Sequence, residues 1–311
     1  MSRGNVLGTT RGSTGRVGPA PLAPHLIATA VAIALAEDLG LAGDVTTNAT
    51  VAAGERSDAV IAARRPGVVA GVDVAAAAFR ALDPDVRFRV VTSDGDAVVE
   101  GDIIAEIAGL SRALLSAERV ALNFMGRMSG IATLTRAYVE AIARTKATIV
   151  DTRKTTPGLR AFEKYAVRCG GGGNHRVGLF DAVLIKDNHI VAAGGLDAAI
   201  LSARAAVGHL VKIEVEVDTL ALLEVALQHR VDAVLLDNMT PDQLRQAVAS
   251  IAGRVTTEAS GGVSLATVRG IAETGVDLIS VGALTHSAPV LDLGLDFVAG
   301  AAAPAKRSKK V

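Results

Sequence analysis

The chain has 311 residues, half of them apolar, and its 32 basic side chains balance 32 acidic ones. A charged fraction of 21% and a mean hydropathy of +0.39 exclude a disordered chain. The longest apolar stretch, Leu26 to Ala36, is about half of what a bilayer span requires, so no membrane segment is expected. Zero net charge without a dense basic stripe excludes a dedicated nucleic-acid binder, whose affinity rests on phosphate neutralisation. The single cysteine, Cys169, precludes an intrachain disulfide and fits a reducing cytoplasm.

Residues 1–23 read as an extension: Arg3, Arg11 and Arg16 lie among Gly, Ser and Thr with no apolar core, unlike a secretory signal. Leu26 to Leu39 is an apolar helical stretch stopped by Gly40. After Thr47 the texture becomes short β-rich pieces, Ala59–Ala63, Val86–Val91 and Ile103–Ile107, between Gly, Pro and Asp turns. The segment SDGDAVVEGDIIAEIAG has the turns of a swinging-arm carrier domain. Such a domain needs a modifiable lysine, and no lysine precedes Lys146, so a small sheet domain is the expectation. Residues 112–144 read as one or two long helices, with Leu114, Leu115, Val120, Leu122 and Met125 at roughly helical spacing. They carry Arg119 and Asn123, and spacing alone makes Arg119 an exposed helix arginine. The last residues, 301–311, with Lys306, Arg307, Lys309 and Lys310, read as a solvated basic tail.

From residue 148 the pattern is a βα alternation. Strands are expected at Thr148–Asp151, Ala182–Ile185, Val211–Val217, Ala233–Leu236, Val255–Thr257 and Leu278–Val281, with helical stretches such as 219–229 and 241–252 between most of them. Repetition of this unit implies a parallel sheet, and six strands point to an incomplete or short α/β barrel.

Ligands in such a fold bind beyond the carboxyl ends of the strands. There the sequence places Arg153 and Lys154; Lys186, Asp187, Asn188 and His189; Glu214 and Glu216; Asp237 and Asn238; Glu258, Ser260, Gly261 and Gly262; and Gly282. Arg153, Lys154, Lys186 and Arg176 converging on one mouth call for a strongly anionic ligand. Glu216 and Asp237, on neighbouring strands, suit a hard cation such as Mg²⁺; alternatively one of the acids pairs with a nearby lysine. Glu214 and Glu216 share a strand face by the two-residue period. The bare amides of Ser260-Gly261-Gly262 and of Val281-Gly282-Ala283, with His286 nearby, suit a phosphate. The run from Arg168 to Arg176 reads as a long flexible loop whose four glycines admit a ligand, with Cys169 as a small loop residue. His25, His209 and His229 read as structural or superficial.

Taken together these residues resemble the quinolinate phosphoribosyltransferase family. The carrying segments are EDLGLAGDVTT at 37–47, ERVALNFMGRMSGIATLT at 118–135, DTRKTTPGLRAFEKYAVRCGGGGNHRVGLFDAVLIKDNH at 151–189, KIEVEV, DAVLLDN and EASGGV. The resemblance implies an N-terminal open-faced α/β sandwich with linking helices over 24–130 and an α/β barrel over 131–284. Residues 285–300 would return to the first domain, and the barrel would have seven strands, one more than the six read above. It implies a homodimer in which Arg119 is donated to the partner's site. The implied reaction joins quinolinate to 5-phosphoribosyl 1-diphosphate, with Mg²⁺, to give nicotinate mononucleotide, diphosphate and CO₂ in NAD biosynthesis. Quinolinate would meet Arg119, Thr152, Arg153, His175, Arg176 and Lys186. Phosphoribosyl diphosphate would meet Lys154, Glu216, Asp237, Ser260, Gly261, Gly262, Gly282, Ala283 and His286. Lys154, Lys186, Glu216 and Asp237 would be the catalytic set. Competing readings are a same-fold protein associated with molybdate transport, a sugar-phosphate lyase using Lys186 as a Schiff base, and a non-enzymatic binding barrel.

Overall fold

Proline at the start of a helix loses no hydrogen bond, because the first N–H groups have no intrahelical partner. Pro24 accordingly opens α1 (Pro24–Leu39), which buries one stripe, Ile27, Val31 and Leu35, and ends at Gly40 with φ +50°. The structure, a computed structural model, describes residues 19–298; most of the expected N-terminal extension and all of the basic tail lie outside them. A short α2 (Val45–Thr50) follows, where Asp44 caps the Thr47 N–H at 2.9 Å.

Next come β1 (Arg56–Ala63), β2 (Gly67–Val68), α3 (Val72–Leu82), β3 (Arg87–Val90), β4 (Ala97–Val98) and β5 (Ile103–Leu110). The three expected β-rich pieces lie on β1, β3 and β5. α3 was not anticipated: Ala75, Ala76 and Ala78 are buried, and the helix packs against α4 (Ser111–Ala141), where small side chains permit close helix approach. The carrier-like turn is what caps α3. Asp94 accepts the Gly71 and Val72 N–H groups at 3.0 and 3.1 Å, and also the Tyr165 hydroxyl at 2.7 Å.

α4 is one unbroken helix rather than two, and it crosses residue 130 without interruption. The segment before β12 (Leu293–Val298) lies directly on it: a Cβ at Gly130 would sit 1.9 Å from the Pro289 carbonyl oxygen. β12 then pairs antiparallel with β1, from Asp58 opposite Val298 to Ala63 opposite Leu293. The resulting antiparallel sheet has the order β12-β1-β5-β3.

Each of the six runs read as barrel strands is a strand: β6 (Thr148–Val150), β7 (Val183–Ile185), β8 (Ile213–Val217), β9 (Ala233–Asp237), β10 (Thr256–Ser260) and β11 (Leu278–Ser280). They are parallel, in the order β6-β11-β10-β9-β8-β7. The helices among and after them are α5 (Arg160–Cys169), α6 (Asp187–Ala193), α7 (Leu196–Ala206), α8 (Leu220–Ala226), α9 (Pro241–Ile251), α10 (Val268–Ala272) and α11 (Ala283–His286). The missing strand position is a single residue. Gly173 forms an isolated parallel bridge to Val150, donating to the Ile149 carbonyl at 2.8 Å.

That bridge corrects the reading of the glycine run as a flexible loop. A Cβ at Gly170 would lie 2.5 Å from the Ala132 carbonyl oxygen, and one at Gly172 would lie 2.8 Å from Thr135 Cγ2. These glycines let the chain pass between α4 and β6; they are packing residues. Cys169 is the buried last residue of α5, not a loop residue, and burial pushes its thiol up to about 12. It is protonated and unreactive. Among the described residues, no helix is long and apolar enough to cross a membrane.

Candidate active site

A cavity of about 770 Å³ opens at the carboxyl ends of the barrel strands. Thr152, Arg153 and Lys154 reach it from β6, His175 and Arg176 from the turn after Gly173, and Lys186 from the end of β7. Glu216 enters from β8, Asp237 from β9, Ser260, Gly261 and Gly262 from β10, and Gly282, Ala283 and His286 from beyond β11. One expected residue is elsewhere. Arg119, on α4, faces a separate groove with Asn123 and residues of α1, and its side chain is 64% exposed.

The cationic wall is fixed from behind. Asp151, fully buried at the end of β6, pairs with the buried Lys164 of α5. Asp151 also accepts the His175 N–H at 2.9 Å and the Asn174 side-chain amide at 2.6 Å, while Lys164 donates to the His175 carbonyl at 3.0 Å. Burial pushes the Asp151 carboxyl up and the Lys164 ammonium down, against their mutual attraction. Neither residue was singled out from the sequence, because a buried pair thirteen positions apart has no local signature.

Two guanidinium groups stand ready in this wall. Arg153 and Arg176 each bury an Nε that has no hydrogen-bond partner. Burial, followed by the charge of Arg153, lowers the pKa of Arg176. A buried, unpartnered donor costs on the order of 1–3 kcal/mol, so two cations held together call for an anion with more than one acceptor group. Lys186 pairs with Glu216, which realises the alternative that one acid meets a lysine. With its side chain 42% exposed and an acid attached, Lys186 lacks the apolar surroundings that a Schiff-base lysine needs.

The glycine corner is shaped for bare backbone. Gly261 and Gly262 have φ of +97° and +60°, and a Cβ on Gly261 would fall 2.1 Å from Asn238 Oδ1. At Gly282 a Cβ would sit 3.2 Å from both Lys154 Cδ and His286 Nε2, so its absence lets these side chains converge. Thr285 donates to the Lys154 carbonyl at 2.8 Å and fixes that stretch of backbone. Asp237 accepts from the Asn238 side chain at 2.7 Å.

Two acids were misplaced by the sequence reading. β10 runs three residues further than expected, so Glu258 lies mid-strand, buried inside the barrel, not beyond the strand's end. Glu214 does not reach the cavity mouth with Glu216; it accepts from His175 Nε2 at 2.8 Å.

Residues 44–129 match the profile of the quinolinate phosphoribosyl transferase N-terminal domain, and residues 131–296 match that of its C-terminal domain. A probable nicotinate-nucleotide pyrophosphorylase [carboxylating] of Bacillus subtilis is 46% identical over 261 residues, covering 84% of this chain and 89% of that one. The nicotinate-nucleotide pyrophosphorylase [carboxylating] of Mycobacterium leprae is 47% identical over 269 residues, covering 85% and 94%. The crystal structure of NadC from Streptococcus pyogenes superposes with a TM-score of 0.86 at 43% identity, covering 90% of this chain and 99% of that one. A two-part profile match in order along the chain, relatives near half identity and a shared fold lead to one conclusion: the chain belongs to the quinolinate phosphoribosyl transferase family.

Proposed function

We infer that this protein transfers the phosphoribosyl group of 5-phosphoribosyl 1-diphosphate to quinolinate with loss of CO₂, giving nicotinate mononucleotide and diphosphate for NAD biosynthesis. The observation that carries this reading is the pair of guanidinium groups with an unpartnered, buried Nε, Arg153 and Arg176, in one cavity with the glycine corner and the Glu216–Asp237 acids. The names of the Bacillus and Mycobacterium relatives support the same reaction.

The residues divide the work by charge. Arg153, Arg176 and His175, with Thr152 and Lys186, grip the two carboxylates of quinolinate and set its ring nitrogen toward the sugar. The amides of Ser260, Gly261, Gly262, Gly282 and Ala283, with His286, take the 5-phosphate. Lys154, brought beside Gly282 by the glycine's missing side chain, faces the diphosphate. Glu216 and Asp237 border the ribose, where negative charge favours the oxocarbenium character of the anomeric carbon. The ring nitrogen forms its bond to that carbon as the bond to diphosphate breaks. Loss of CO₂ then leaves an electron pair on the ring carbon beside the cationic nitrogen, and protonation of that carbon completes the product. No covalent bond to the protein is required.

Glu216 and Asp237 are hard oxygen donors and fit a Mg²⁺ that keeps most of its waters and substrate oxygens, although Glu216 already shares its charge with Lys186. When bound, the ion would neutralise charge on the leaving diphosphate. Arg119 completes the quinolinate subsite of a second subunit in a homodimer; its exposure and its place in a groove separate from its own chain's cavity support that role. The enzyme works in the cytoplasm, in keeping with its single, buried, free cysteine.

Mass-spectrometric product analysis tests the reading. With Mg²⁺ and phosphoribosyl diphosphate, the protein should form nicotinate mononucleotide from quinolinate and none from nicotinate. Product from nicotinate, or no product from folded protein, overturns it, and the second result would favour the molybdate-transport relative.

A further inference from the structure

Three acids line the cavity, and Glu258 alone has no part in the mechanism above. It is 1% exposed, and neither of its oxygens has a hydrogen-bond partner. His175 stands between two acids: its Nε2 lies 3.7 Å from a Glu258 oxygen and 2.8 Å from Glu214. Facing atoms of all three residues lie within 4.8 Å of one another.

One imidazolium can balance one carboxylate. If Glu214 and Glu258 were both ionised, the cluster would carry a net negative charge in a wall that has to receive a dianion. Protonating Glu258 leaves His175 and Glu214 as a neutral pair. We propose that Glu258 is the proton-holding residue of the quinolinate subsite: the cavity binds the dianion in the form in which the Glu258 carboxyl is protonated. This rests on the reaction inferred above.

The surroundings support it from every side. Glu214 faces Glu258 from β8, His175 from the turn after Gly173, and Ser280 from β11, while the residues in register on β9 and β11 are Leu235 and Leu278. Lys164 acts on His175 and Arg176 interacts with Glu214, so both cations face members of the cluster. Burial first, and the charge of Glu214 second, push the Glu258 carboxyl up to about 7. Burial lowers the pKa of His175, but its hydrogen bond to Glu214 and the charge of Glu258 outweigh this and raise it.

The test is the pH dependence of the steady-state reaction of the full chain, with Mg²⁺ and both substrates, from about pH 6 to 9. In the native protein kcat/KM for quinolinate should fall toward about tenfold per pH unit above about 7, as Glu258 ionises. In Glu258→Gln that fall should flatten to less than about twofold between about pH 7 and 8. The profile for phosphoribosyl diphosphate should keep the same course in both proteins. Quinolinate calorimetry in two buffers of different ionisation enthalpy adds a second readout: proton uptake near pH 8 in the native protein and none in the variant. An unchanged alkaline fall in the variant, or equal flattening for both substrates, overturns the proposal. If the variant does not fold, absence of proton uptake by the native protein overturns it alone. Failure to make nicotinate mononucleotide would instead remove the underlying reading of the reaction.

Discussion

At the residue scale, the proposed quinolinate subsite rests on Arg153 and Arg176. Each buries a donor that the folded protein leaves unpaired, a cost that makes sense when a ligand removes it. Arg153→Ala should therefore raise the KM for quinolinate by roughly 10- to 100-fold, from the loss of a charge-assisted hydrogen bond. The KM for phosphoribosyl diphosphate should move less than about threefold. Arg153→Lys should rescue little, since an ammonium cannot present two parallel donors to a carboxylate. Initial rates with each substrate varied in turn decide this; equal losses for both would count against the assignment. Arg153, Lys154 and Lys186 were legible in the sequence because each closely follows a β-branched run, which fixes its place near a strand's carboxyl end. Glu258 was not. Its burial depends on where β10 stops, and a strand end is blurred by a few residues in sequence.

At the scale of elements, the strand starts on the face opposite the cavity are tied by two aspartates in equivalent places, one residue ahead of β9 and β11. Asp232 accepts the Ile213 N–H at 2.9 Å and pairs with Lys212 and Arg204. Asp277 accepts the Thr257 N–H at 2.9 Å and pairs with Lys146 at 2.7 Å. Burial pushes both carboxyls up, but these donors outweigh it and hold them below the usual carboxylate range. A lowered folded-state pKa contributes stability above the ordinary value, and that contribution is lost as pH falls through the folded one. Asp277→Asn should therefore be less stable than the native protein at neutral pH, and the gap should shrink below about pH 4. Urea unfolding of both proteins at the two pH values measures it, and a constant gap would refute the linkage. The βα alternation was plain from its β-branched runs and helical spacers. α3 was missed although Val72, Ala75, Ala76 and Phe79 recur at helical spacing on its buried face. The seventh barrel position was missed because one glycine bridge has no strand-like sequence.

Over the whole molecule, the end of the described chain folds back on its beginning. β12 returns from the chain's end to pair with β1, and its lead-in crosses α4 at Gly130. Arg119, earlier on the same helix, lines a groove separate from its own chain's cavity. If subunits exchange that arginine, inactive Arg119→Ala and Lys186→Ala proteins should complement each other. Each hybrid dimer keeps one intact site, so an equal mixture should recover about a quarter of native activity. The measurement is activity after subunit exchange, with hybrids verified by native mass spectrometry; hybrids without activity would rule out the exchange.

The sequence by itself determined the α/β class, the six barrel strands and most of the cavity's charged rim. Strand-end position and residue type are local properties, carried by runs of four to eight residues. Tertiary structure alone decided which charges are paired and which stand unpaired. Lys164 finds Asp151, Lys186 takes up Glu216, Glu214 turns to His175, and Glu258 is left without a partner. Pairing depends on distances across strands far apart in the chain and on how deeply each group is buried, and both exist only once the barrel has formed.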